Sequence, residues 1–462
     1  MLARISFAGL CTVLAFARAA LALPPDGQLD PAFNGTGIVL VTFAPAGYNT
    51  ANLFAVAQPG AGKLLLLGES SNAGEIGSLE LARLLSSGVP DPDFGDSGIA
   101  TITTPQPGLR AVVPDADGGT LLIYTATGFV GTYGTICRTL NSGALDPGYG
   151  NQGCVTPSPG SSWGLNGGAL QTDGSLVVAG FEDVSMLGKR ALLARIGSNG
   201  TLDKGFAPSN NGFFIDECAY PSPSIVSGCE FTAVTVARGG RIYADGEATS
   251  KGTNDLGNPM SLVPVYALTT VGVPDSNFGP AHDGRLFVAF SDDGRDRALS
   301  IALSPAGRIV ASGLTTGSTD LAGRKGDAAL AIVSDLGQVI GGGRFSIGTS
   351  NDAYYSQISV SAFQADGKLM LAGTTQLSSA SDRMFAVDRL TSTFQPDANF
   401  GASGHGALVD LGLGAGSSAN AAAIAFAGTQ PLIAGTGGLA SGDSKFAVIK
   451  LTAELIFADG FE

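Results

Sequence analysis

Residues able to do acid–base or metal chemistry are sparse in this chain of 462 residues. Its two histidines, His282 and His405, sit in glycine-containing turns, outside any G-x-S-x-G or H-E-x-x-H context. Both read as solvated turn residues. No glycine-rich phosphate loop is followed by a helix. The carboxylates from which an acid and a base would come are Asp216, Glu217, Glu230, Asp292 and Asp293, but no spacing singles out a pair. Asp115-x-Asp117-Gly118 and Asp292-Asp293-Gly294 resemble oxygen-ligand clusters, yet neither supplies the about six to eight oxygens that calcium takes. No catalytic, cofactor-binding or metal-ligating residue is therefore assigned and no cofactor is expected, calcium being the one metal the pattern leaves open.

The remaining conspicuous acids recur. Gly88 to Gly98 reads G-V-P-D-P-D-F-G-D-S-G, and close variants return roughly every 60 residues. Their aspartates are Asp30, Asp91, Asp146, Asp203, Asp275 and Asp397, and their aromatics Phe33, Phe94, Tyr149, Phe206, Phe278 and Phe400, with Phe345 a degenerate further copy. An aspartate opening a turn accepts hydrogen bonds from backbone N–H groups two or three residues on, which rigidifies the turn without a metal. These residues are expected to be structural, with Asp91 tying an inter-blade turn and Phe94 packing between blades.

A second anchor, a glycine turn followed by an apolar run, returns as Gly60 to Gly68, Ala116 to Tyr124, Thr172 to Gly180, Ala237 to Gly246, Pro305 to Gly313, Ala365 to Gly373 and Gly428 to Gly435. Between anchors each unit reads as four short strands, exemplified by Ile38 to Phe43, Leu53 to Gln58, Lys63 to Leu67 and Leu79 to Leu84. No unit carries a capped helix. The expectation is an all-β, seven-bladed β-propeller of four-stranded repeats, with a β-solenoid as the alternative. The boundary between the fifth and sixth units is blurred, because Phe345 lacks the preceding D-P.

The compound motif carries a resemblance. L-F-A-V-A-Q-P-G-A-G-K-L-L-L-L-G (Leu53 to Gly68) followed by L-E-L-A-R-L-L-S-S-G (Leu79 to Gly88) resembles the delta-60 repeat family of exported bacterial proteins, over about Leu29 to Leu451. The resemblance implies a propeller-like repeat module of secreted or surface proteins, without an established enzymatic activity.

Residues 1–22 read as a secretory signal: a basic start, an apolar Ile5 to Phe16 and the small-x-small Ala20-Leu21-Ala22. Residues 23–455 form a single repeat domain, and 456–462 a short tail. The alanine-rich Gly412 to Gly435 reads as two buried strands rather than a transmembrane segment, since Ser417, Ser418, Asn420, Thr429, Gln430 and Pro431 interrupt it. A net charge of −14 argues against nucleic acid as a partner. Cys137, Cys154, Cys218 and Cys229 suggest disulfides in an exported protein, and proximity favours 137 with 154 and 218 with 229 among three possible pairings. A monomer is expected.

In up-and-down sheets the connections alternate between two faces. One face then collects the uniform turns and the other the variable loops, with Tyr48, Trp163, Phe213, Phe214, Tyr220, Tyr354 and Tyr355. Aromatic-bearing loops on a rigid ring are where binding sites usually lie. The reading is an exported, non-enzymatic binding or scaffold propeller that recognises a protein or glycan. The alternatives are a propeller hydrolase or lyase using channel-mouth carboxylates, and a structural envelope protein.

Overall fold

The computed structural model describes residues 26–42, 50–57, 62–71, 77–103, 107–115, 117–128, 131–184, 188–209, 211–219, 226–253, 259–291, 294–317, 326–349, 353–401, 404 and 406–453. The segments read as signal and tail lie outside them. Alternating apolar runs separated by glycine turns give 28 strands among the described residues.

Five sheets have four strands each. They are β2 to β5 (Thr50–Ala57, Leu64–Ser71, Ser78–Leu84, Ile99–Thr103); β6 to β9 (Pro107–Pro114, Thr120–Gly128, Gly131–Thr139, Cys154–Val155); β10 to β13 (Trp163–Leu170, Leu176–Val184, Gly188–Ile196, Phe213–Asp216); β22 to β25 (Tyr355–Phe363, Leu369–Gln376, Met384–Leu390, Ala407–Val409); and β26 to β28 (Ser418–Ala427, Gln430–Gly438, Ser444–Lys450) completed by β1 (Ile38–Val41). The remaining strands, β14 to β17 (Val226–Val236, Ile242–Thr253, Pro259–Leu268, Arg285–Val288) and β18 to β21 (Gly294–Leu303, Ile309–Gly317, Asp327–Val333, Val339–Phe345), form one eight-stranded sheet.

This corrects the seven-bladed expectation. The fold is an all-β propeller with five four-stranded blades, and the other strands do not divide into separate four-stranded sheets. A parallel pairing of Ser261 with Arg295 joins β16 to β18, and the Ser261 hydroxyl donates to the Asp296 carbonyl at 2.9 Å. The phase of the repeat is corrected too. The strand that opens each sequence unit pairs with the last strand of the preceding unit, as β5 does with β4. The Gly88 to Gly98 stretch therefore joins two strands of one sheet rather than two blades.

The ring closes by antiparallel pairing of β1 with β28, Ile38 opposite Ile449, backed by Gly27 N–H to Thr452 O at 2.9 Å. The strands β2, β6, β10, β18, β22 and β26 each carry one register shift against the strand that follows them, and β14 carries two. Such bulges bend and twist a strand, here at the same place around the ring. Apolar clusters fill the space between neighbouring sheets; one joins Leu65, Leu67, Leu79 and Leu81 to Leu109, Leu122 and Tyr124.

The turn aspartates form a repeated clamp. Asp91 accepts the Asp93 N–H at 3.1 Å, and the same bond recurs from Asp30, Asp146, Asp203, Asp275 and Asp397 to the N–H two residues on. The outer oxygen takes a cation. Arg83 donates Nε to Asp91 at 2.6 Å and Lys63 adds its ammonium at 2.8 Å. The equivalents are Arg138–Asp146, Arg195–Asp203, Arg241–Asp275, Arg389–Asp397 and, across the ring closure, Lys450–Asp30. The guanidinium also lies over the turn's ring, 4.6 Å for Arg83 on Phe94 and 4.8 Å for Arg389 on Phe400. That ring reaches into the next sheet. A Cβ on Gly143 (φ 89°) would come within 2.7 Å of Phe94, so glycine is required there. Arg83 continues across the same seam, with its Nη1 donating to the Asn141 carbonyl at 2.7 Å.

The Lys63 ammonium, with the Asp93 N–H and Arg83, holds the Asp91 carboxyl down at about 2. A depressed folded-state value means that the stabilisation is present above pH ~4 and fades as pH falls toward ~2. Asp91→Asn should therefore lower the melting temperature at pH 7, with the gap to wild type closing as the scan is repeated down to pH 2.

Candidate functional site

Of the aromatics expected on the variable face, the five that are described are buried or half-buried. Trp163, Phe213 and Phe214 are 4%, 6% and 7% exposed. Trp163 begins β10 and meets Tyr133 edge-on at 5.1 Å. Consecutive strand residues point to opposite faces, so Phe213 and Phe214 enter the two cores that flank β13. Tyr355 is half-buried, with Arg383 over its ring at 4.8 Å and its hydroxyl bonded to Gln357; burial raises its pKa. Tyr354 is half-buried as well. Tyr48, Tyr220, Asp292, Asp293 and His405 lie outside the described residues, and His282 sits in a left-handed turn (φ 54°).

The cysteines pair as Cys137–Cys154, bridging directly opposed residues of β8 and β9, and Cys218–Cys229, tying the segment after β13 to β14. Among the described residues no group of three metal-type ligands converges, and no helix is long and apolar enough to cross a membrane.

Of the carboxylates named from sequence, Asp216 is committed locally: it accepts from the Tyr266 hydroxyl at 3.0 Å, with Arg285 at 3.9 Å. Burial, together with this carboxylate, raises the Tyr266 pKa. Glu217 is largely exposed, 3.9 Å from Arg190. Among the described ones, Glu230 is set directly across two paired strands from another carboxylate. On β14 it lies directly opposite Glu247 of β15, a residue that sequence reasoning missed. Arg297 of β18 bridges the two, Nη2 to Glu230 at 3.1 Å and Nε to Glu247 at 3.7 Å. Arg295 adds a contact to Glu247 at 3.4 Å, and Lys189 of β12 reaches Glu230 at 2.7 Å while covering the Phe181 ring at 4.0 Å.

The side chains of Glu230 and Glu247 are each 12% exposed, whereas those of Lys189, Arg295 and Arg297 are 41%, 52% and 42% exposed. Two sunken carboxylates thus lie beneath a fringe of solvent-facing cations, on a chain that is strongly acidic overall. The arrangement can hold an anionic group on its rim and offer it a carboxylate pair one guanidinium apart.

A different buried acid lies in the same sheet. Asp245 is 0% exposed and neither carboxylate oxygen has a hydrogen-bond partner. It lies two residues beyond Tyr243 on β15, whose ring belongs to the apolar cluster around Phe278, and so points to the same apolar side. Burial pushes its carboxyl well above the usual carboxylate range. A raised folded-state value means that stability is greatest at acid pH and lost as pH rises past ~4. Asp245→Asn should therefore be nearly neutral at pH 3.5 and raise the melting temperature increasingly toward pH 8.

Two segments, residues 62–94 and 171–206, match a family described as a domain of unknown function (DUF5122) beta-propeller. Both run from a glycine turn to the clamp aromatic. No curated protein sequence matches the chain. Among solved structures, the polysaccharide lyase Uly1 aligns with a TM-score of 0.50 at 8% identity, over 89% of this chain and 91% of the other. An α-L-arabinofuranosidase of Fusarium graminearum aligns at 0.44 and 10%, over 77% and 98%. A neuraminidase-like protein of subtype N10 from A/little yellow-shouldered bat/Guatemala/060/2010 aligns at 0.37 and 9%, over 90% and 100%. The first of these likenesses shows the fold. The matched segments identify a repeat of β-propeller type, and the delta-60 name is not part of the match.

Proposed function

We propose that the protein is an exported polysaccharide-active propeller, a hydrolase or lyase. The observation that carries this is the Glu230–Glu247 pair beneath Lys189, Arg295 and Arg297. In this reading the cations hold a carboxylate of an acidic sugar, and the two glutamates divide the acid and base roles at the neighbouring glycosidic bond. The two disulfides support an oxidising destination outside the cytosol.

A second reading, a non-enzymatic module that binds a glycan or protein, is favoured by the ion pairing itself. Each glutamate already has a cationic partner, as in a structural network.

Incubation with a panel of acidic and neutral polysaccharides, followed by reducing-end and unsaturated-product assays, separates the two. The enzymatic reading predicts turnover of an acidic substrate that falls about 100-fold or more in Glu230→Gln and in Glu247→Gln, with melting temperatures close to wild type. Saturable binding of a polysaccharide without product would establish the second reading instead.

A further inference from the structure

The strands β18 to β21 lack a clamp of their own, and what remains there has the form of a ligand site. Between β20 and β21 the chain makes only the short hairpin Ser334 to Gln338, with no D-P-x-F turn. The clamp's aspartate and aromatic are both missing, and Ile332 stands where the arginine of other sheets would be. The space between these strands and the next sheet is an open cavity of ≈600 Å³, a size that suits a small-molecule ligand.

Two residues show how the neighbourhood is altered. In other sheets the hairpin that receives the clamp aromatic carries a glycine, such as Gly143 for Phe94 or Gly272 for Phe206. Here that position is Phe394, held in the left-handed region at φ 64°, a costly backbone state for an aromatic residue. Its ring lies 5.7 Å from the Arg308 guanidinium and edge-on to Phe363 at 6.1 Å. Arg308 occupies the position that Lys63, Arg241 and Lys368 hold in other units, where each of those cations meets a clamp aspartate. Arg241 has Asp275 at 2.8 Å and the Phe278 ring at 5.7 Å. Arg308 has the ring and, among the described residues, no carboxylate.

We propose that this cavity binds a small amphipathic carboxylate, an aryl- or alkyl-substituted acid. Its carboxylate completes the Arg308 clamp and its apolar body fills the space walled by Leu330, Ile332, Ile340, Leu390 and Phe394. Arg344 lies on the rim, 3.9 Å from Asp327, and reinforces selection for an anion. The one acid in the lining, Asp388, is 8% exposed and takes the Arg389 N–H at 2.8 Å. The site is separate from the Glu230–Glu247 pair and does not depend on the function proposed for it.

The test is calorimetric titration of the whole protein with 3-phenylpropionate and, as its neutral counterpart, 3-phenylpropanol. The acid should bind saturably with one site per chain and at least about tenfold more tightly than the alcohol. Arg308→Met should weaken the acid by about tenfold and leave the alcohol unchanged, and Phe394→Gly should weaken both. Arg308 belongs to no clamp, so the melting temperature of Arg308→Met without ligand reports that the fold is intact. Absence of saturable binding by the acid, equal affinity for acid and alcohol, or undiminished binding of the acid in Arg308→Met would each overturn the proposal.

Discussion

The ring depends on an ion pair used over and over, with both partners buried at Arg83–Asp91 and Arg389–Asp397. An aspartate at the start of a turn fixes that turn through its own backbone N–H groups, then offers its other oxygen to an arginine or lysine from a neighbouring strand of the sheet. Burying such charges is costly, and only good geometry with further hydrogen bonds repays it. The clamp supplies these. Arg389 is 2% exposed yet satisfied by Asp397 at 2.8 Å, by Asp26 at 2.6 Å and by the face of Phe400. The same group thereby fixes a turn, fills the seam between sheets and, at Asp26, ties in the segment that leads to β1 where the ring closes.

Much of this was legible because it is repeated. The aspartates and aromatics stand out at a steady spacing, and an arginine sits eight residues before Asp91, Asp146, Asp203 and Asp397. What periodicity cannot supply is phase. A string of four strands reads the same wherever the count begins, and only hydrogen bonding decides that β5 completes the sheet of β2 to β4. The fusion of β14 to β21 into one sheet rests on a single parallel residue pair, which leaves no mark on the pattern. Turn composition misled for Trp163, which looks like a loop aromatic and is instead the buried start of a strand.

The candidate site shows the same division. Glu230 was visible as one carboxylate among several, but its partner Glu247 follows the glycine of a regular apolar run, and only the β14–β15 register sets the two face to face. The cations came from two further places in the sequence, Lys189 on β12 of the neighbouring sheet and Arg295 with Arg297 on β18 of the same one. Where the clamp is absent the sequence did signal trouble: Phe345 without its D-P marked a blurred boundary. The structure shows the physical counterpart, an open cavity with an arginine left over and a phenylalanine in the place of a glycine.

If the clamp holds the ring together, its charges must be energetically coupled rather than merely adjacent. A double-mutant cycle on Arg389→Met and Asp397→Leu, read by denaturant unfolding, measures this directly. The account predicts that each single replacement costs about 3 kcal/mol or more by leaving its partner buried and unpaired. The double replacement should recover much of that loss, giving a coupling of about 2 kcal/mol. Additive losses with no coupling would contradict it.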